Sequence, residues 1–232
     1  MRELDATTTK FATQLDSLLA WDLSVDSEID TQVANIIKRV RTKGDAELLA
    51  LTHQFDRVDA AEVADLEIRQ DELSDAWAAL SSSAQQALQT AADRIRRFHE
   101  RQREDSWSYV DELGCELGQK IQPLDRVGVY VPGGRAAYPS SVLMTLIPAK
   151  VAGVKEIIVV SPTPGGERNT MVLAALHLAG ADRVFAVGGA QAVAALAYGT
   201  DCVPRVDKIV GPGNAYVAAA KKQVFGQVGI DM

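Results

Sequence analysis

The sequence predicts an α/β fold: a mainly helical region over residues 1–120, then a parallel sheet with flanking helices over residues 121–232. Three observations predict it. Apolar residues in the first half recur at helical spacing, short β-branched runs alternate with helical stretches from Val127 onward, and Gly/Pro turns separate the two kinds of segment.

In the first half, Ile29, Val33, Ile36, Ile37 and Val40 repeat at intervals that place them on one face of a helix. Gly44 interrupts that segment. Asp45 can cap a second helix carrying Leu48, Leu49 and Phe55, and Ser81 to Ser83 open a third, running through Ala87, Ala91, Ile95 and Phe98. Arg94, Arg96, Arg97, Arg101 and Arg103 could form a phosphate-binding strip. Asp93, Glu100 and Glu104 interleave with them, however, which is the pattern of a solvated helix face.

From Gly114 the texture changes to short strands and turns. Strands are expected at 127–131, 156–160, 183–187 and 208–210, with helices around 141–152, 169–178 and 190–198 and another after Asn214. Strands alternating with helices imply parallel pairing, because a parallel pair needs a long crossover and a helix supplies it.

Composition narrows the functional classes. With 47% hydrophobic residues, 232 residues can bury a substantial core. The longest apolar runs fall far short of the roughly 20 residues that span a bilayer, so no membrane segment is expected. Met1 to Lys10 lacks the apolar stretch of a secretory signal, and a cytoplasmic protein is expected. Two cysteines, Cys115 and Cys202, are too few for a disulfide framework and lack CxxC spacing. The net charge of −7 divides unevenly, about −10 over residues 1–120 and +3 over 121–232. An acidic first half argues against nucleic acid, and a mildly basic second half suits a small anionic ligand.

In a parallel sheet, ligands bind beyond the carboxyl ends of the strands. Three turns there stand out: Tyr130-Val131-Pro132-Gly133-Gly134-Arg135, Gly188-Gly189-Ala190-Gln191 and Gly211-Pro212-Gly213-Asn214. Glycines let backbone N–H groups approach a ligand, and the helix that follows aims its positive end at the same place. Gly and Pro also make tight turns with no ligand at all. Three such turns on one edge, two carrying an amide side chain, point to a binding crevice. The GxGxxG dinucleotide fingerprint is absent, so spacing alone does not identify a nucleotide.

Residues Val127 to Gly134, Val187 to Thr200 and Val206 to Asn214 closely resemble histidinol dehydrogenases in order and spacing, and the likeness extends upstream through Arg41 to Asp56 with its Lys43-Gly44-Asp45-Ala46 turn. The resemblance implies an incomplete Rossmann-like domain similar to those of aldehyde dehydrogenases. It also implies oxidation of L-histidinol through L-histidinaldehyde to L-histidine, the last step of histidine biosynthesis, with NAD and a bound zinc, in an interlaced homodimer. Carried over by motif position, the NAD contacts are Tyr130, Gln191 and Asn214. A tyrosine offers a ring face and a hydroxyl, and amides both donate and accept hydrogen bonds. Alternatively, Tyr130 packs in the core and the amides cap helices.

The resemblance further implies a longer enzyme whose second α/β domain follows Met232 and holds the Glu-His acid–base pair and the His, Gln and Asp zinc ligands. No catalytic residue and no metal ligand is therefore assigned within this chain, which is expected to be truncated and inactive alone, with apolar surface exposed where the rest would pack. His53, His99 and His177 are widely separated, without zinc-site spacing. Two other readings stand beside this one. The first is a stand-alone NAD-binding or sensing module without catalysis. The second is a semialdehyde dehydrogenase relative using Cys202 as nucleophile, although no activating helix start or basic partner surrounds it in the sequence.

Overall fold

A computed structural model describes residues 4–19, 23–133 and 138–231; Gly134 and Arg135 of the first turn lie outside the described residues. The chain begins with helices α1 (Phe11–Leu19), α2 (Leu23–Lys43) and α3 (Asp45–Asp56), a short strand β1 (Glu67–Ile68), and helices α4 (Gln70–Ala78) and α5 (Ser82–Glu100). A hairpin of β2 (Trp107–Val110) and β3 (Glu116–Gln119) follows. Then β and α elements alternate: β4 (Arg126–Tyr130), α6 (Pro139–Val151), β5 (Glu156–Val160), α7 (Thr170–Ala179), β6 (Arg183–Phe185), α8 (Gly189–Tyr198), β7 (Lys208–Val210), α9 (Ala215–Val224) and β8 (Gly229–Ile230).

The main sheet has the order β1-β6-β5-β4-β7-β8, and every pairing is parallel except β1 with β6. Numbered among themselves, the five parallel strands run 3-2-1-4-5, the order of a doubly wound, Rossmann-like sheet, with its switch point between β4 and β7. The mixed α/β class expected from the sequence, with a mostly parallel sheet, is what the structure has.

Both faces of the sheet are covered, which explains strands apolar at nearly every position, such as Ile157-Ile158-Val159-Val160. Ile158, Val160, Tyr130, Phe185 and Ile209 face one layer, where Val33, Ile36, Ile37 and Val40 of α2 pack with Leu48 and Leu51 of α3 and with α8 and α9. Val127, Val129, Ile157, Val159 and Val184 face the other, packed on Leu73 of α4, Leu88 of α5, and α6 and α7. Helices from the first 120 residues thus lie on both faces.

Several local expectations shift. Asp45 does not cap α3: Gly44 holds the N-cap position, and the Asp45 carboxylate instead accepts the Cys202 N–H at 3.0 Å. Phe55 is exposed and its neighbour Asp56 is buried. On α5 the fully buried residues are Leu88 and Ala92, while Ala87 and Phe98 are exposed. Ser81 does cap α5, accepting the Ala84 N–H. The strand expected to reach residue 187 stops at Phe185; just beyond it the Ala186 N–H bonds the Leu66 carbonyl and the Val187 N–H folds back onto the Phe185 carbonyl at 2.9 Å in a tight turn.

The two-residue strand β1 is fastened from its side chains. Glu67 receives both Nε and Nη2 of Arg183 at 2.8 and 2.6 Å, and Gln70 Nε2 donates to the Ala181 and Asp182 carbonyls. The β2–β3 hairpin differs. All eight of its residues are exposed, with Trp107 and Tyr109 stacked on one another. Among the described residues, no helix is long and apolar enough to cross a membrane.

Candidate functional site

Tyr130 is the last residue of β4, at the carboxyl edge of the sheet beside the switch point. Its ring is 3% exposed, and its Oη accepts the Gly189 N–H at 3.1 Å. Burial pushes the phenol up to about 12; the Gly189 N–H acts against this and the Asp56 charge adds to it. The hydroxyl is therefore protonated at neutral pH.

Gln191 lies in the first turn of α8 and is 1% exposed. Asn214 is the N-cap of α9, where its Oδ1 accepts the Val217 N–H at 3.1 Å. Capping uses the oxygen and leaves the amide nitrogen for other partners. Gly189 and Gly211 take positive φ (64° and 112°), which only glycine adopts readily and which lets both turns fold back toward Tyr130.

These three residues from three separate turns line a single cavity of about 440 Å³. Ile36 of α2 and Phe55, Asp56 and Tyr216 are also part of its wall. Asp56, the last residue of α3, is the residue that sequence reasoning missed. It lies within the Arg41–Asp56 stretch, but nothing in its spacing marks it as inward-facing. Burial raises its carboxyl pKa, offset in part by a hydrogen bond from the Gly188 N–H.

Two polar atoms in this wall are buried and have no hydrogen-bond partner: Asp56 Oδ2, an acceptor, and Gln191 Nε2, a donor. Leaving such an atom unsatisfied costs about 1–3 kcal/mol, so native proteins seldom do it without a reason. One acceptor and one donor in the same wall suit a ligand carrying both kinds of group. A second cavity, about 540 Å³, lies across Pro162 and Pro164 and is lined by Gly133, Ser161, Thr163, Arg168 and Asn169. It is larger and its wall also holds a buried unpartnered atom, Thr163 Oγ1, but it contains none of the three predicted residues, and its cation Arg168 is already paired with Glu72.

The histidines have local partners. His53 Nε2 lies 2.9 Å from the Ala60 carbonyl, His99 Nδ1 lies 2.6 Å from Gln102 Oε1, and His177 stacks on Trp77. Among the described residues, no three His, Cys, Asp or Glu side chains converge to hold a metal ion. The Cys202 thiol is pushed up to about 11 by Asp45 and by burial, the opposite of what an attacking thiolate needs.

Comparison with known proteins places these features in context. Residues 22–232 match the family model described as histidinol dehydrogenase. The chain is 60% identical over its whole length to a histidinol dehydrogenase of Chromobacterium violaceum, of which it covers 54%, and 59% identical to one of Aromatoleum aromaticum, of which it covers 53%. A crystal structure of histidinol dehydrogenase from Elizabethkingia anophelis matches with a TM-score of 0.81 and 34% identity, over 92% of this chain and 48% of that one. The chain spans about half the length of the curated relatives it matches.

Proposed function

Because the chain belongs to the histidinol dehydrogenase family, an oxidoreductase family of histidine biosynthesis, we propose that it supplies the NAD-holding half of a cytoplasmic enzyme oxidising L-histidinol through L-histidinaldehyde to L-histidine. In this reading residues 121–232 form the cofactor-binding unit, the helical region 1–120 supports it, and the working enzyme is a homodimer. NAD, when bound, accepts the hydride. The protein's own part is to bind and orient it.

The observation that carries the reading is the buried, unpartnered pair Asp56 Oδ2 and Gln191 Nε2, set with Tyr130 and Asn214 in one cavity at the sheet's switch point. Gln191 donates, Asp56 accepts, Tyr130 and Phe55 offer ring surface, and the Asn214 amide supplies a further donor. A dinucleotide, rich in ribose hydroxyls and amide-like base edges, carries the donors and acceptors that these two atoms call for. Among the described residues, no three His, Cys, Asp or Glu side chains are placed to hold the zinc that the sequence resemblance implies. The chain spans about half the length of its curated relatives, and by itself it is proposed to bind cofactor without turning over histidinol.

Titration calorimetry of the chain with NAD, followed by a spectrophotometric assay with L-histidinol, NAD and zinc, tests both statements. Saturable NAD binding that Gln191→Leu abolishes, without NADH formation, is expected. A folded chain that shows no saturable binding overturns the cofactor site. Zinc-dependent NADH formation by the chain alone overturns the claim of inactivity.

A further inference from the structure

Helix α9 turns an apolar face inward, with Val217, Ala220 and Val224 fully buried. Lys221 sits on the same face and is only 9% exposed. A cation there is expensive unless something specific receives it. The Lys221 ammonium reaches back along its own helix to the Gly211 carbonyl, 3.0 Å away, and also pairs with the Asp231 carboxylate just beyond β8. The other Asp231 oxygen accepts the Gly211 N–H at 2.7 Å, and the Asp231 N–H is held by the Ile209 carbonyl at 3.2 Å.

Both backbone polar groups of Gly211 are thus taken by two side chains that are also paired with each other, a closed ring of three contacts around one residue. Gly211 begins the turn Gly211-Pro212-Gly213-Asn214, and its backbone lies against the Tyr130 carbonyl so closely that an added Cβ would stand 2.1 Å from that oxygen. Asn214 is three residues further on, across a proline whose φ is fixed. A buried ion pair adds little net stability compared with apolar side chains of the same volume, but it fixes geometry. Here the geometry it fixes is that of the turn carrying Asn214.

We propose that Lys221 and Asp231 are positioning residues for cofactor binding: together they clamp Gly211, and through it they hold Asn214 at the cavity beside Tyr130. This rests on the reading that the cavity takes NAD. Neither side chain lines the cavity, so both act through the turn.

The test is a double-mutant cycle read by titration calorimetry with NAD, on the whole chain. Lys221→Met keeps the aliphatic stem and removes the charge. Asn214→Ser keeps a capping oxygen and removes the amide. In the wild-type background, Lys221→Met should weaken NAD binding about tenfold, the scale of losing one charge-assisted hydrogen bond. In the Asn214→Ser background it should weaken binding less than about twofold, since nothing remains to be positioned. Asp231→Asn should show the same pattern, and it carries the cycle if Lys221→Met does not fold, because Asp231 is a third exposed and an amide still accepts the Gly211 N–H. Equal losses in both backgrounds, as a merely structural pair would give, overturn the proposal. So does an unchanged affinity in the wild-type background. A wild-type chain that fails to bind NAD overturns the cofactor reading and this inference with it, whereas tight wild-type binding with additive losses overturns the inference alone.

Discussion

Replacing Gly211 by alanine should be far more damaging than the same change at Gly226, and the difference measures how tightly the Asn214 turn is pressed against β4. Both glycines have φ in the region that L residues avoid, 112° and 92°. That alone costs an alanine about 1–2 kcal/mol. At Gly226 nothing lies within 4 Å of the added methyl, so this is the whole penalty. At Gly211 the methyl would stand 2.1 Å from the Tyr130 carbonyl oxygen and 3.1 Å from its carbon, against an ordinary C···O approach of about 3.3 Å. The obstacle cannot recede, because β4 is paired on one side to β5 and on the other to β7. Overpacking of this kind adds about 1–3 kcal/mol, for a total of roughly 2–5 kcal/mol. For a chain of this size each kcal/mol lowers the melting temperature by about 2–4 °C, giving roughly 4–20 °C for Gly211→Ala and about 2–8 °C for Gly226→Ala. Thermal melts followed by circular dichroism, with urea titrations for the free energies, provide the comparison. Equal shifts for the two variants would refute the close approach of the turn to Tyr130, and with it the physical basis for grouping Tyr130 with Asn214.

Two further outcomes follow from perturbed side chains. Burial raises the Asp56 carboxyl above its ordinary 3.8, so its contribution to stability is fully present below that pH and is lost as pH rises through the folded-state value. Asp56→Asn should therefore gain melting temperature over wild type at pH 7 and lose that advantage toward pH 4, while binding NAD several-fold more weakly; an advantage that grows on acidification would contradict the burial argument. Iodoacetamide at pH 8 should label the exposed Cys115 well before Cys202, whose thiol is held near 11 by Asp45 and burial. Peptide mass spectrometry showing Cys202 labelled first would reopen it as a nucleophile.

Where a segment carried a long periodic pattern, the structure follows the sequence closely. Strands β4, β5 and β7 and helices α7 and α8 begin and end within two residues of their expected bounds, and α9 starts directly after Asn214 as expected, because β-branched runs bracketed by Gly and Pro leave the backbone few other choices. The missed elements are those with too little pattern to read. Strand β1 is two residues long and exists because Glu67 finds Arg183, 116 positions away. Helix α4 follows it, fixed by Gln70 on the entrance to β6. On α3 and α5 the helix was legible but its inward side was not, since apolar residues lie on more than one side and only the neighbouring layer selects which are buried.

The site divides along the same line. The turns after the strands, with the amides Gln191 and Asn214 in them, can be read from local chemistry and topology, because a parallel sheet sends all such turns to one edge. That Tyr130, Gln191 and Asn214 are NAD contacts is what the resemblance to histidinol dehydrogenases implies, by motif position. Asp56 and the Lys221–Asp231 clamp could not be named. Asp56 closes a helix whose spacing favours its neighbour Phe55, and Lys221 occupies a position that periodicity assigns to an apolar residue. Their roles arise from contacts with Gly188 and Gly211, remote in spacing pattern and adjacent only in space. The sequence by itself determined the alternation of strands and helices after Val127 and the edge of the sheet to which their turns run. Only the tertiary structure decided which buried polar atoms lack partners, because desolvation is a property of everything that surrounds an atom and not of its place in the chain.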